Sequence, residues 1–140
     1  MNTYADASVI VALFVPDLFN ERAARLIQQR RPTLVLSDFA AAEFASVLGR
    51  QVRTRELTAN AAREAFTAFD AWAEIRGARL ETSAADIAAA ERFLRRLELN
   101  LRTPDALNIA IARRNGAALA TFDTRMADAA RALGLEVADA

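Results

Sequence analysis

The sequence predicts an α/β fold of three layers, in which helices cover both faces of a central parallel sheet of four to five short strands. Short apolar runs of strand length alternate along the whole chain with longer segments of helical periodicity. Strands that alternate with helices in this way form parallel sheets covered on both faces. The length of 140 residues and the 54% of hydrophobic residues suit one compact domain over residues 1–140.

The first half of the chain is predicted to contain two strands and four helices. The strands are short runs bounded by acidic residues or proline, Thr3–Asp6 and Thr33–Ser37. The helices are amphipathic or apolar segments over Ser8–Val15, Leu18–Arg30, Phe39–Val52 and Ala59–Ile75. Pro16 closes the first of these helices, Asp17 and Thr58 are predicted N-caps, and Gly77 ends the fourth helix.

The second half continues the alternation. Its predicted strands are Arg79–Thr82, Ala118–Phe122 and Leu135–Ala138. Its predicted helices run from Ser83 or Ala84 to about Leu97, from Thr103 to a point before Gly116, and over Thr124–Leu133. Thr103 is the predicted N-cap of the middle helix, because Pro104 suits the first helical position.

The composition excludes several kinds of chemistry. The chain has no cysteine and no histidine, so thiolate nucleophiles, disulfides, Cys/His zinc sites and imidazole catalysis are unavailable. A metal site built from the remaining oxygen ligands favours hard cations such as Mg²⁺ or Mn²⁺. The formal net charge is zero, and all 18 basic residues are arginine. A neutral total does not suggest a general nucleic-acid coat protein, but it permits a local basic track.

The first residues predict neither secretion nor membrane insertion. They lack a basic leader followed by a small-residue cleavage site, and no apolar stretch has the roughly 18–20 residues that a membrane span needs. We therefore expect a cytoplasmic protein.

Two predicted strands end at an aspartate, Asp6 and Asp123. An aspartate at this position is often only a turn residue or a helix cap, and for either residue alone that interpretation is as good as a functional one. Ligand sites in open parallel sheets lie beyond the carboxyl ends of the strands. If the two strands are neighbours, both carboxylates enter the same crevice.

Glu43 and Asp105 stand out on otherwise apolar helices. Ala40, Ala42, Phe44 and Val47 surround Glu43, although a solvent-exposed glutamate remains the simpler alternative. Asp105 lies in the first turn of its helix, where a carboxylate is favoured by the helix dipole alone. The rest of that helix is nearly all apolar. Asn108, three residues after Asp105, lies on the same face.

These residues carry a resemblance to a known family. The chain resembles the PIN-domain nucleases, and most closely the VapC-type toxins of bacterial toxin–antitoxin pairs. The matching stretches span nearly the whole chain: residues 4–8 (YADAS), 42–44 (AEF), 101–110 (LRTPDALNIA) and 121–125 (TFDTR). Many relatives have histidine where this chain has Asn108, a position that is not a primary metal ligand.

The resemblance implies a PIN-like fold and a site in which Asp6, Glu43, Asp105 and Asp123 hold Mg²⁺ or Mn²⁺ directly or through water. It implies that Ser8 or Thr121 holds a metal-bound water and that Asn108 supports the site. Such an ion stabilises charge at a phosphodiester and lowers the pKa of bound water. The activity implied is endonuclease cleavage of RNA by a toxin. The expected partners are RNA, a cognate antitoxin protein and a second copy of the chain.

Arginines are candidates for guiding RNA to this site. Arg50, Arg53 and Arg55 follow the Glu43 helix, and Arg102 precedes Thr103. Phosphate contacts by such residues confer affinity without sequence choice. An ordinary solvated surface is the competing interpretation for each of them.

Two other functions compete with the ribonuclease. One is a catalytically idle PIN-like module that acts only through protein contacts, although an idle site has no physical reason to keep repelling carboxylates together. The other is a phosphatase resembling the haloacid dehalogenases. That chemistry needs a second aspartate two residues after the nucleophile, and Ser8 occupies this position after Asp6.

Overall fold

The computed structural model describes residues 1–30, 33–76 and 79–138, and in these ranges four parallel strands form one sheet. The strands are β1 (Thr3–Ala5), β2 (Leu34–Ser37), β3 (Arg79–Leu80) and β4 (Ala118–Ala120). Their order is β3-β2-β1-β4 and every pair is parallel, as the alternation of strands and helices predicts.

Seven α-helices of the described ranges pack on this sheet. They are α1 (Ala7–Phe14), α2 (Asn20–Arg30), α3 (Asp38–Arg53), α4 (Ala59–Arg76), α5 (Ala84–Leu94), α6 (Thr103–Arg114) and α7 (Thr124–Ala132). A 3₁₀ turn, Leu97–Leu99, joins α5 to α6. The three-layer α/β fold predicted from the sequence is confirmed.

The pairing of β1 with β4 explains which polar residues meet at one edge of the sheet. Tyr4 of β1 pairs with Val35 of β2 on one side and with Leu119 of β4 on the other. All residues of β1, β2 and β4 are buried, as expected for parallel strands covered on both faces. Because β1 and β4 are neighbours, the residues that follow them meet at one edge: the backbone N–H of Asp6 donates to the carbonyl of Ala120 at 3.1 Å.

An aromatic cluster fixes α3 and α4 against α1. Phe44 lies in the middle, with its ring centroid 6.0 Å from that of Phe14, 5.9 Å from Phe66 and 4.9 Å from Phe69. Edge-on and tilted ring pairs of this kind contribute about 0.5–1.5 kcal/mol beyond their buried area. Phe44 follows Glu43 directly, so this packing also sets the position of the glutamate on α3.

Several predicted boundaries are wrong. The N-cap of α6 is Arg102 and not Thr103, because the carboxylate of Asp105 accepts the Arg102 N–H at 3.2 Å and so draws Thr103 into the first turn. The helix predicted to reach Leu97 ends at Leu94, and the 3₁₀ turn Leu97–Leu99 follows it. The predicted strand Leu135–Ala138 contributes a single parallel bridge, from Val137 to Leu119.

Other predicted signals are confirmed. Thr58 caps α4 through a 3.1 Å hydrogen bond from the Ala61 N–H. Gly116 and Gly134 adopt φ values of 64° and 81° just after α6 and α7, the left-handed region that ends helices at glycine. Gly77 lies outside the described residues. None of the described helices has the length and apolar character that a membrane span requires.

Candidate active site

Asp6 is a buried carboxylate at the carboxyl end of β1. Its side chain caps α1 by accepting the Val9 N–H at 3.2 Å, and it also accepts the hydroxyls of Ser8, at 2.6 Å, and Thr121. Its relative exposure is 2%. Burial raises the pKa of Asp6 to about 6, although the hydrogen bonds from Ser8 and Thr121 lower it.

Glu43 lies in the first half of α3 and is half-buried. Asn108 of α6 donates from Nδ2 to its Oε1 at 2.8 Å. Burial raises the pKa of Glu43 to about 6, the negative charges of Asp6 and Asp105 add to this, and Arg102 opposes it. Asp6 and Asp105 therefore both lie within electrostatic range of Glu43. The alternative of a fully solvated glutamate is wrong.

Asp105 is buried in the first turn of α6, with a relative exposure of 4%. Its Oδ2 accepts the backbone N–H of Arg102 at 3.2 Å and lies 3.5 Å from the Arg102 Nε. Asp105 therefore serves as a helix cap, and its negative charge also acts on Glu43. The Arg102 side chain is mostly exposed and adds a positive charge beside Asp105.

Asp123 is the N-cap of α7. Its Oδ1 accepts the N–H groups of Arg125, at 3.0 Å, and Met126, at 3.2 Å, and its own N–H donates to the Thr121 hydroxyl at 3.0 Å. Since Thr121 also donates to Asp6, one hydroxyl links the ends of β1 and β4. Both cap bonds use Oδ1, so capping does not engage Oδ2.

The donor set suits a hard divalent ion. In residues 1–30, 33–76 and 79–138, no three acidic side chains form a group that could hold a metal ion. The side chains that converge on the crevice nevertheless carry oxygen donors of the kind that Mg²⁺ and Mn²⁺ prefer. The raised pKa values of Asp6 and Glu43 show that the folded chain disfavours both negative charges there, and a bound cation would reverse that preference.

The structure also reveals polar residues behind the acids that the sequence did not single out. The Tyr4 hydroxyl lies 2.6 Å from the Ser37 hydroxyl and donates to Oδ1 of Asn108 at 2.5 Å. Tyr4 and Asn108 have relative exposures of 0% and 1%. Burial raises the pKa of the Tyr4 phenol well above its usual range, so the hydroxyl keeps its proton. In the sequence, Tyr4 looks like an ordinary core residue of an apolar strand. Only its contacts in the structure show that its hydroxyl is bound to Ser37 and Asn108.

A second feature missed from the sequence is an arginine stacked beside the end of β4. The rings of Phe19 and Phe122 are stacked with centroids 4.9 Å apart, and the Arg22 guanidinium lies 4.9 Å from the Phe122 centroid and 5.4 Å from that of Phe19. Phe122 separates Thr121 from Asp123. Arg22 and Thr121 also line one cavity, so this positive charge lies close to the residue whose hydroxyl donates to Asp6.

The arginines predicted to bind RNA differ in their distance from the site. Arg102 contacts Asp105. Arg50 and Arg53 are exposed on α3 beyond Glu43, and the rise of an α-helix puts them about 10 and 15 Å further along its axis. Arg55 follows α3 in the left-handed region, with φ 64°.

Comparisons with known proteins identify the family and the fold. The family model described as the PIN domain matches residues 3–132. No curated protein sequence matches the chain significantly.

Solved structures with the same fold include several from bacteria. VapC20 of Mycobacterium tuberculosis, described as a toxin that cleaves the sarcin-ricin loop, is 23% identical with a TM-score of 0.73, over 99% of this chain and 100% of that one. FitAcB from Neisseria gonorrhoeae is 18% identical with a TM-score of 0.74, over 96% and 95% of the two chains. VapBC2 from Rickettsia felis, bound to a DNA fragment from its promoter, is 12% identical with a TM-score of 0.70, over 99% and 98%.

Proposed function

The chain belongs to the PIN domain family, and from this premise we propose that it is a metal-dependent endoribonuclease that acts as the toxin of a toxin–antitoxin pair. Residues 1–140 form its single catalytic domain, and the cytoplasm is its place of action. The observation that carries the proposal is the proximity of three acids. The charges of Asp6 and Asp105 both act on the half-buried carboxylate of Glu43.

We assign the metal to Asp6, Glu43 and Asp105, with Asp123 as the fourth acid. A bound Mg²⁺ or Mn²⁺ supplies Lewis-acid stabilisation of the phosphodiester and a water of lowered pKa. The chain's own residues hold the carboxylates in place: Ser8 and Thr121 fix Asp6, Asn108 fixes Glu43, and the Arg102 backbone fixes Asp105. A carboxylate whose hydrogen bonds are already made loses little freedom when it binds an ion.

We propose that arginines near the acids bind the phosphates of the RNA. Arg102 beside Asp105 and Arg22 on the Phe122 ring are the nearest candidates for phosphate contacts. Arg50 and Arg53 lie further along α3, where they suit phosphates of a longer substrate. The guanidinium of Arg22 lies over two stacked rings, which restricts its orientation before any RNA arrives.

The proposed partners are an antitoxin peptide and a second copy of the chain. An open groove between α3 and α4 is lined mainly by Ala41, Ala45, Phe66 and Phe69, with charged residues at its rim. We assign the antitoxin to this groove, because an amphipathic helix places its apolar face in such a surface. A basic antitoxin side chain that reaches Glu43 would compete with metal.

The apolar faces of α2 and α3 are other candidate surfaces for these contacts, but they are only partly available. Ala23, Leu26, Phe44 and Leu48 face the core, whereas Leu18, just before α2, is 89% exposed. Sedimentation at micromolar concentration should show a dimer, and purification from the native host should recover a small antitoxin. A monomer without any such partner would contradict this part of the proposal.

Cleavage of RNA with and without metal tests the proposed activity. The purified protein should cut structured RNA in Mg²⁺ or Mn²⁺, stop in EDTA and resume when metal is restored. Asp6→Asn should abolish cleavage, and Asp86→Asn, which alters a buried carboxylate outside the crevice, should retain it. Undiminished cleavage in EDTA would contradict the metal. A folded protein that cuts no RNA under any of these conditions favours the idle interaction module.

A further inference from the structure

A continuous chain of hydrogen bonds joins β2, β1 and α6 to Glu43 on α3. It runs from Ser37 Oγ to Tyr4 Oη at 2.6 Å, from Tyr4 Oη to Asn108 Oδ1 at 2.5 Å, and from Asn108 Nδ2 to Glu43 Oε1 at 2.8 Å. Ser37, Tyr4 and Asn108 are all essentially inaccessible to solvent. The hydrogen bonds among these three residues therefore form where water is excluded, and each of them is stronger than it would be in water.

The direction of each hydrogen bond follows from the supply of protons. Tyr4 has one hydroxyl proton and gives it to Asn108, so Ser37 must donate to Tyr4. Ser37 still accepts the Ala40 N–H at 2.9 Å as the N-cap of α3. Every donor and acceptor in this chain therefore has one consistent assignment.

Two acceptors set the orientation of the Asn108 amide, and Tyr4 completes its hydrogen bonds. In the observed orientation, Nδ2 donates both to Glu43 and to the Pro104 carbonyl at 3.0 Å, while Oδ1 accepts from Tyr4. In the reversed orientation, Oδ1 would face two acceptors, the Glu43 carboxylate and the Pro104 carbonyl. A buried polar group left without its partner costs about 1–3 kcal/mol, so these two acceptors exclude the reversed amide. The Tyr4 hydroxyl then holds the amide in place by donating to Oδ1.

Packing alone does not require this hydroxyl. A phenylalanine ring would fill the same space between the helices, and the Ser37 hydroxyl could serve the cap of α3 without Tyr4. We propose that Tyr4 is a positioning residue of the metal site: through Asn108 it holds the Glu43 carboxylate in the orientation that binds the divalent cation. This inference rests on the proposed function, in which Glu43 is a metal ligand.

Binding of Mn²⁺ to the metal-free protein, measured by electron paramagnetic resonance, tests the inference without any assay of cleavage. Tyr4→Phe should weaken Mn²⁺ binding about 3–10-fold, and Asn108→Ala about 10–100-fold, the range for groups bonded directly to a ligand. The double variant should bind no more weakly than Asn108→Ala alone, because both residues act through one path. Thr3→Val removes a buried hydroxyl from the same strand and should bind as the parent protein does.

A spectroscopic signature gives a second test that needs no change at Tyr4. Tyr4 is the only tyrosine of the chain, so its ring signals in a selectively labelled sample are assigned without variants. Mg²⁺ should shift these signals in the parent protein and fail to shift them in Glu43→Gln.

The outcomes separate the two proposals. A parent protein that binds no Mn²⁺ overturns the proposed metal site and this inference together. A parent protein that binds Mn²⁺, with Tyr4→Phe binding equally well or with Tyr4 signals that ignore Mg²⁺, overturns the role of Tyr4 and leaves the metal site standing. Losses in Tyr4→Phe and Asn108→Ala that multiply in the double variant also overturn it.

Discussion

At the scale of single residues, Asp6 combines a structural and a chemical task. It caps α1 and accepts two hydroxyls, yet its carboxylate lies where burial disfavours a negative charge and raises its pKa. A cap on the surface would retain a pKa near the ordinary value of about 4. The combination therefore distinguishes Asp6 from a helix cap with no further role.

The pH dependence of stability should reveal this charge. The folded pKa of Asp6, about 6, lies above the unfolded value, so the metal-free protein bears no penalty below pH 4 and a growing penalty as pH rises through 6. The substitution Asp6→Asn removes this pH-dependent penalty. The free energy of unfolding of Asp6→Asn, relative to the parent protein, should increase by about 1–2 kcal/mol between pH 5 and pH 8 in EDTA. Urea denaturation at each pH gives the measurement.

The exposed Asp128 on α7 provides a matched control. Asp128→Asn should follow the parent protein at every pH, because its carboxylate is solvated. If Asp6→Asn instead loses a constant amount of stability at all pH values, Asp6 is only a cap.

The proposed role of Arg22 in binding RNA likewise depends on a single side chain. Arg22→Met should raise the KM for RNA several-fold, leave Mn²⁺ binding unchanged and reduce the salt dependence of RNA affinity, because one phosphate contact is lost. Arg113→Met is the control: Arg113 also lies over a ring, 5.8 Å from the Phe93 centroid, at the opposite end of α6 from Asp105. Equal KM values for the parent protein and Arg22→Met would exclude Arg22 from the RNA path.

At the scale of elements, α5 and α6 both have an aspartate in the first turn that helps to cap the helix, but the two aspartates have different further contacts. Asp86 in α5 and Asp105 in α6 each accept the N–H of the residue that caps their own helix, Ser83 and Arg102. Asp86 is also held by two hydrogen bonds from Arg114, at 2.7 and 3.0 Å, which tie α5 to the end of α6. Those bonds lower the pKa of Asp86, whereas the negative charge of Asp105 acts on Glu43.

This difference predicts opposite effects of the same substitution. Asp86→Asn should destabilise the protein by about 1–2 kcal/mol, because hydrogen bonds to a charged group are lost, and should leave Mn²⁺ binding intact. Asp105→Asn should weaken Mn²⁺ binding at least tenfold with little loss of stability in EDTA. Thermal melts with and without Mn²⁺ report both properties, since binding to the folded state raises Tm. A melt of Asp105→Asn that responds to Mn²⁺ as the parent does would remove Asp105 from the site.

Element boundaries show what local sequence rules miss. The pair Thr103-Pro104 is a strong helix start, yet α6 starts one residue earlier than a Thr103 cap implies, because the Asp105 carboxylate takes the Arg102 amide. The strand predicted over Leu135–Ala138 has apolar residues but reaches the sheet through one bridge beside β4. Where an element begins and whether a strand joins the sheet depend on side-chain and tertiary contacts. The periodicity of the sequence does not reveal these contacts.

At the scale of the whole molecule, the order of the strands brings together the strand ends that carry Asp6 and Asp123. The sequence supplied aspartates at the ends of β1 and β4, and their adjacency in the sheet makes the two strand ends share the Thr121 hydroxyl. Acids on strand ends can be recognised by position alone. The hydrogen bond between Tyr4 and Ser37 could not be recognised in this way, because the two residues are 33 apart in sequence. Each of them also has an ordinary local role, in a strand or as a helix cap.

If the four acids hold a divalent cation, a crystal of the protein soaked in Mn²⁺ should contain the ion at these residues. Anomalous difference maps should show Mn²⁺ bound by Asp6, Glu43 and Asp105, with Asp123 bound directly or through water, and a soaked Asp6→Asn crystal should lose that peak. Mn²⁺ bound only elsewhere, or a crevice empty of Mn²⁺ in a protein that cleaves RNA in solution, would contradict the account.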